Sequence, residues 1–103
     1  MRIRTRRATT GTMISSGTLS IRRKKALYRA QHRGMREMDL LLGTFAAASL
    51  DQMSAAELDE FEGLLDILDA DFLKWLTGEE PVPARHDTDL FRRIRAFRQV
   101  MPF

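Results

Sequence analysis

The chain has 103 residues, no cysteine and a net charge of +3, and these figures limit what it can be. Its length suits one domain with a single modest core. The absence of cysteine excludes disulfides and thiolate metal sites and is compatible with a reducing compartment. No apolar run approaches the roughly 18 residues that a membrane span requires, so we expect no direct membrane insertion.

The charges are segregated along the chain. Residues 1–36 carry eleven Arg and Lys and no acid, and residues 37–80 carry twelve Asp and Glu against one Lys. Residues 81–103 carry five Arg and two Asp. This pattern either steers the protein to a charged partner or reflects oppositely charged helices that face each other within the fold. The sequence leaves both explanations open.

Residues 1–19 are predicted to form a flexible basic tail. They are rich in Arg, Thr, Ser and Gly and show no sustained apolar period. This composition is shared by organelle transit peptides and by basic bacterial tails, and it contains no secretory hydrophobic core.

A glycine divides the first two predicted helices. Ser20 is placed to cap a helix over about residues 21–32, and Gly34 then breaks or bends the chain. A second helix is predicted over about residues 35–49. Four of its apolar residues have the spacing of a core-facing stripe: Met38, Leu41, Leu42 and Phe45.

Two more helices are predicted in the acidic middle section. Ser54 and Glu57 have the spacing of a capping box. The helix that they open is expected to bury Leu58, Phe61, Leu64, Leu65 and Leu68. Asp69 is then predicted to cap a short helix over residues 70–77, which Gly78 ends.

The last predicted helix follows an extended connector. Two prolines within residues 79–84 resist helix formation. Asp87 or Thr88 then begins a helix with apolar residues on one face: Leu90, Ile94, Phe97 and Met101. No segment alternates with period two, and there is no internal repeat. We therefore predict an all-α fold, a small five-helix bundle that forms a single domain over residues 20–101.

The chain lacks the residue arrangements of known enzyme classes. His32 and His86 are far apart and have no cysteine companions, so a metal site is not expected. There is no nucleophile elbow, no glycine-rich phosphate loop and no HExxH motif. Asp69 and Asp71 are interpreted as helix caps rather than as an acid–base pair. The sequence therefore does not indicate an enzyme.

Charged residues crowd around Gly34 and suggest a docking surface. A glycine has no Cβ and lets another backbone approach closely. Arg33 and Arg36 offer planar donor groups for carboxylates or carbonyls. Glu37 can cap the second helix or accept a bond from a partner's arginine. Alternatively, Arg33 and Glu37 pair with each other at i, i+4.

Nucleic-acid binding is a further alternative, because the first third of the chain is basic. The acidic middle third would repel phosphate, and the first helix has no evident helix-turn-helix partner. We expect no nucleic-acid partner.

The order Arg33-Gly34-Met35-Arg36-Glu37 resembles the RGxxE signature of the SdhE (YgfY) family. Residues 22–29 resemble the basic lead-in helix of that family, and residues 64–78 resemble its LL…D.DL..WL.G segment. Pro81-Val82-Pro83 follows in the usual place. Ala70 stands where proline is common in the family. The resemblance covers about residues 21–100.

This resemblance implies an assembly factor that binds the flavoprotein subunit of succinate dehydrogenase, or of fumarate reductase in some bacteria. Such a factor promotes covalent attachment of FAD to a histidine of that subunit, which we call the client. The FAD then belongs to the client, so no stably bound cofactor is expected here. We also expect a monomer when the protein is free. An antitoxin-like or regulatory role, which has also been proposed for this family, is the alternative.

The resemblance also implies the residues that contact the client. These partner-binding residues are Arg33, Gly34, Arg36, Glu37, Asp71 and Trp75. Arg36 occupies a variable position of the motif, and helix capping or core packing can equally explain Asp71 and Trp75. Localisation is open between the bacterial cytoplasm and the mitochondrial matrix. The residues around the motif, HRGMREMDLLLG, lead us to favour the bacterial cytoplasm.

Overall fold

A computed structural model of the chain describes residues 19–101, and these form an all-helical domain without strands. In chain order the α-helices are α1 (Ile21–Gln31), α2 (Arg36–Ser49), α3 (Ala55–Leu65), α4 (Asp69–Thr77) and α5 (Asp89–Val100). Short 3₁₀ helices follow α2 at Leu50–Gln52 and precede α5 at Ala84–His86. The predicted all-α fold with five helices is therefore confirmed for these residues. None of the described helices is both long enough and apolar enough to cross a membrane.

The predicted basic tail is almost entirely outside the described residues. Its last residue, Leu19, is described, and only 7% of its surface is exposed. Leu19 belongs to the core cluster and packs with the helical domain.

Polar caps fix most helix starts where the sequence predicts them. The Ser20 hydroxyl accepts a bond from the Arg23 N–H at 3.3 Å. Ser54 and Glu57 form the complete capping box at the start of α3. Thr88 caps α5 by accepting from the Phe91 N–H at 3.2 Å. At the other end of α4, Gly78 has a φ of 82°, the left-handed conformation typical of a helix C-cap.

Two predictions at the start of α4 are wrong. Asp69 does not cap this helix, because it is the first helical residue, and the N-cap position is held by Leu68 without a side-chain bond. Leu68 is 73% exposed and lies outside the core, because α3 already ends at Leu65. The Asp69 carboxylate instead binds an arginine from the loop before α2.

The core lies where the apolar faces of the helices meet. The predicted stripe of α2 is buried, with Met38, Leu41 and Leu42 fully inaccessible and Phe45 nearly so. Phe91 is also fully buried although the periodicity of α5 did not single it out. Its ring stacks against Phe72 of α4 at 6.0 Å between centroids, which links the last two helices.

Ion pairs between α1 and α3 account for part of the charge segregation. Arg22 of α1 binds Glu62 (Nε to Oε2, 2.9 Å) and also pairs with Asp59. The hydrogen bonds that Arg22 donates to Glu62 and Asp59 raise the pKa of Arg22, and the bond to Arg22 lowers the pKa of Glu62. Two turns further along α1, Arg29 pairs with Asp66 at 2.6 Å. Oppositely charged segments thus face each other within the fold, as one of the two explanations requires.

Candidate functional site

The candidate site is built around the loop between α1 and α2, residues 32–35, which we call the glycine loop. Gly34 at its centre has a φ of 103°, a conformation that residues with a Cβ rarely adopt. The residue is exposed, and a Cβ added there would meet no atom within 4 Å. Backbone conformation, not crowding within the fold, therefore requires the glycine, and the space beside it is open.

Asp39 holds the glycine loop in shape from the first turns of α2. Its Oδ1 accepts from the Gly34 N–H at 3.1 Å and from the Arg33 N–H. The N-cap residue, Met35, offers no side-chain bond. Within the described residues Glu37 does not cap α2, because its carboxylate accepts from Arg98, and Asp39 instead binds two N–H groups of the loop before the N-cap. An acid near the start of a helix that has no polar N-cap is the sequence signal for this role.

Arg33 fastens the glycine loop to the segment that joins α3 to α4. Its Nε donates to Oδ1 of Asp69 at 2.8 Å, and its two terminal nitrogens donate to the carbonyl oxygens of Leu65 and Ile67. Only 9% of the Arg33 side chain and 12% of the Asp69 side chain are exposed. The guanidinium is thus largely committed to bonds inside the fold. That Arg33 contacts a partner stays a prediction.

Glu37 is bound by the last helix and not by Arg33. The Nε of Arg98 on α5 donates to its Oε2 at 2.7 Å, and both side chains are about one third exposed. The alternative that Arg33 and Glu37 pair with each other is therefore wrong in this structure. Arg98 lies 61 positions away, so no local sequence pattern could have identified it.

Arg36 differs from the other charged residues of the motif. It is exposed, and within residues 19–101 its side chain makes no hydrogen bond or ion pair. It is also the first residue of α2, where the helix dipole disfavours a positive charge. We therefore find no contribution of Arg36 to the stability of the isolated domain.

The two candidate residues in the second segment have different surroundings. Asp71 is exposed in the first turn of α4, where the helix dipole favours an acid. Trp75 is partly buried and packs against the core. Its ring stacks on His86 at 5.6 Å between centroids. Burial, and to a smaller extent the charge of Arg85, lowers the pKa of His86. No hydrogen bond or ion pair in the described region links Asp71 or Trp75 to the glycine loop.

His32 and His86 each pack against an aromatic ring. His32 stacks on Tyr28 at 4.0 Å between centroids, and its Nδ1 lies 2.7 Å from the Tyr28 carbonyl oxygen. Across residues 19–101, no group of three His, Cys, Asp or Glu side chains could hold a metal ion.

The described residues therefore define a small all-helical protein with an open, charged loop that internal ion pairs hold in place. Comparison with known proteins identifies its family. The family model described as "Flavinator of succinate dehydrogenase" matches residues 24–98, and the chain belongs to this family. The match includes the glycine loop, α4 and most of α5.

Named relatives occur in a bacterium and in mitochondria. The "FAD assembly factor SdhE" of Acetobacter pasteurianus is 37% identical over 81 residues, which cover 79% of this chain and 74% of the relative. "Succinate dehydrogenase assembly factor 2-B, mitochondrial" of Drosophila ananassae is 38% identical over 79 residues, or 75% of this chain and 48% of the relative. "Succinate dehydrogenase assembly factor 2, mitochondrial" of Mycosarcoma maydis is 48% identical over 61 residues, or 59% and 26%. The chain thus spans about half the length of the fly relative.

Proposed function

We propose that this protein is an assembly factor that binds the flavoprotein subunit of succinate dehydrogenase and promotes its covalent flavinylation. The observation that carries the proposal is the open edge at Gly34 and Arg36, in a chain that belongs to the succinate dehydrogenase flavinator family. The names of the bacterial and mitochondrial relatives support it. Fumarate reductase is a second client of the same kind to be tested.

Each residue of the motif has its own part in this proposal. Gly34 leaves room for the client backbone, and Arg36, which pairs with no residue among 19–101, binds a client carboxylate or carbonyl. Glu37 presents its carboxylate at the same edge while Arg98 holds it. Arg33 keeps the edge in position through Asp69. Asp71 and Trp75 provide a second contact region on α4.

The proposed mechanism is conformational. A flavin–histidine bond can form within the client once the flavin and the histidine are correctly placed. A helper that binds the competent arrangement of the client more tightly than other arrangements increases its population. On this view the helper performs no chemistry itself, acts as a monomer, and leaves the FAD with the client. Either the bacterial cytoplasm or the mitochondrial matrix is a suitable compartment, since the relatives include a protein of a bacterium and proteins named as mitochondrial.

The internal pairing of the basic residues disfavours the nucleic-acid alternative. Arg22 and Arg29, two exposed arginines of α1, are already bound by acids of α3 or the turn after it and are therefore less available to a phosphate backbone. We therefore propose no second function.

The test is reconstitution with the purified apo flavoprotein subunit, FAD and this protein. Covalent flavin is measured as fluorescence that stays with the subunit after denaturation in a gel. We expect the protein to accelerate flavinylation and to form a complex with the subunit. A rate equal to that without the protein, for the subunits of both succinate dehydrogenase and fumarate reductase, would contradict the proposal.

A further inference from the structure

Three exposed apolar side chains follow one another from the start of α1 to the segment before α4. Ile21 and Tyr28 on α1 and Leu68 before α4 are 72%, 63% and 73% exposed. Ile21 and Tyr28 line one shallow concavity of about 420 Å³, and Tyr28 and Leu68 line a second of about 440 Å³. Tyr28 and Arg29 line both, so the two concavities are adjacent. We call the surface formed by Ile21, Lys24, Lys25, Tyr28 and Leu68 the α1 patch.

Contacts inside the fold hold the α1 patch in place. The Tyr28 ring is stacked on His32, which belongs to the glycine loop. Leu68 follows Ile67, whose carbonyl oxygen accepts from Arg33. A rigid aromatic and an anchored leucine lose little conformational freedom when a partner covers them. Clustered apolar side chains of this kind mark interaction surfaces more often than isolated ones do.

The charge of the α1 patch limits what can cover it. Lys24 and Lys25 form no ion pair with any described residue, whereas the neighbouring Arg22 and Arg29 are neutralised by acids. The patch is therefore apolar with an uncompensated positive rim. Residues 1–18 hold four Arg and no acid, so the tail of this chain is a poor occupant. A second copy placed patch to patch would likewise oppose lysine to lysine.

We propose that the α1 patch is a second docking surface for the client, and that it binds an acidic segment carrying an apolar anchor. This proposal rests on the proposed function and extends its binding surface from the glycine loop onto α1. The apolar side chain would lie against Tyr28 and Leu68, and neighbouring carboxylates would reach Lys24 and Lys25. In this arrangement the apolar contact provides most of the affinity, and the lysines accelerate association and orient the client.

Leu68→Ser is the most informative variant. It removes the exposed leucine and places a hydroxyl at the N-cap of α4, which now lacks a side-chain bond. Because serine is a preferred N-cap, the melting temperature should stay the same or rise. Binding to the purified flavoprotein subunit should nevertheless weaken by about tenfold or more, the equivalent of one buried large apolar side chain. Val100→Ser is the matched control, since Val100 is 79% exposed and is the last residue of α5, outside the α1 patch.

The dependence of the association rate on salt concentration tests the role of the two lysines. Replacing Lys24 and Lys25 together by Gln should slow association at low ionic strength and have little effect at about 1 M salt, where charges are screened beyond about 3 Å. Vesicles of anionic phospholipid serve as a second probe. Retention of the wild-type protein on these vesicles, with loss of that retention in the lysine variant and unchanged client binding, would overturn the proposal in favour of a membrane surface.

The two proposals fail in different ways. If the wild-type protein neither binds nor flavinylates the client, the proposed function is wrong and the second surface falls with it. If the wild type is active and Gly34→Arg is not, but Leu68→Ser binds within twofold of the wild type, only the α1 patch is overturned. Weakened binding by Leu68→Ser with an unchanged Val100→Ser control supports both.

Discussion

Arg33 and Asp69 form a nearly buried ion pair across 36 positions of sequence, with Nε and Oδ1 separated by 2.8 Å. The pair joins the glycine loop to the first residue of α4. Both the loop and the segment that contains α4 carry part of the family resemblance. Arg33 of the motif therefore stabilises the fold through Asp69, a role that the neighbouring residues in the sequence do not indicate. This arrangement connects the stability of the domain to the shape of the loop.

Asp69→Ala should destabilise the domain strongly. It leaves the Arg33 guanidinium almost buried without its carboxylate, and removal of one member of a buried pair costs about 3 kcal/mol or more. The free energy of unfolding from urea titration measures this loss. Asp66→Ala is the matched control: its partner Arg29 is exposed, so the cost should be about 1 kcal/mol or less. Equal losses in both variants would contradict a special role for the Arg33–Asp69 pair.

Two substitutions of Gly34 should separate backbone strain from obstruction of the surface. Any residue with a Cβ is strained at a φ of 103°, so Gly34→Ala and Gly34→Arg should each cost about 1–2 kcal/mol of stability. The simpler expectation, that Gly34→Arg leaves the melting temperature nearly intact, overlooks this conformation. We expect Gly34→Ala to keep most flavinylation activity and Gly34→Arg to lose it. The same activity in both folded variants would refute a docking edge at Gly34.

Arg36→Gln should affect function without affecting the fold. The Arg36 side chain makes no bond within the described domain, and substitutions at such surface sites usually change stability by about 0.5 kcal/mol or less. Client binding should weaken, chiefly through faster dissociation, because a charged contact is lost. Surface-immobilised flavoprotein subunit provides the rates. Arg95→Gln is the control, since Arg95 lies over the Phe91 ring on α5. If both variants bind like the wild type, Arg36 is not a contact residue.

The domain should lose stability in two steps as the pH falls. Burial lowers the pKa of His86 below its ordinary 6.5, so the unfolded chain takes up this proton first, and stability falls from about pH 6.5 downwards. The backbone bond from Ser54, and then the charge and bond of Arg93, lower the pKa of Glu57 below 4.5. The stability from this carboxylate is present above pH 4.5 and is lost at lower pH.

Melting temperatures measured from pH 8 to pH 3 test both steps. We expect His86→Phe to flatten the upper step, because phenylalanine retains an aromatic ring against Trp75 without a titrating proton. Glu57→Gln should reduce the lower step, to which Glu62 also contributes through its lowered pKa, and leave the upper one unchanged. A wild-type profile that is level between pH 7 and pH 5 would refute the role of His86.

Local rules in the sequence were sufficient for most of the fold. Side-chain caps at Ser20, Ser54 and Thr88 and the glycine at residue 78 lie within a few residues of the groups that they bind, so their patterns can be read directly. The error at Leu68 has a physical cause. Its spacing continues the apolar stripe of α3, but the helix has ended and the chain has turned by that point.

The site was less accessible to sequence reasoning because its bonds are long-range. The segregation of charge predicted that basic and acidic segments could meet, but not which residues would pair. Arg33 binds Asp69 and Glu37 binds Arg98, although the i, i+4 spacing of Arg33 and Glu37 offered a simpler partner for each. Such pairings follow from the packing of α2 against the other helices. The bonds from Asp39 to the glycine loop are local and could be predicted from the sequence. The i, i+4 spacing of Glu37 from Arg33 instead favours Glu37 as the acid that matters.

The stacking of Trp75 on His86 gives the protein an intrinsic optical signal. Trp75 is the single tryptophan of the chain, so all indole emission of the free protein comes from this one position, at the contact between α4 and the 3₁₀ helix before α5. A protonated imidazole quenches indole fluorescence, and a separated one does not. In the free protein, emission intensity therefore reports the opening of this junction without a label.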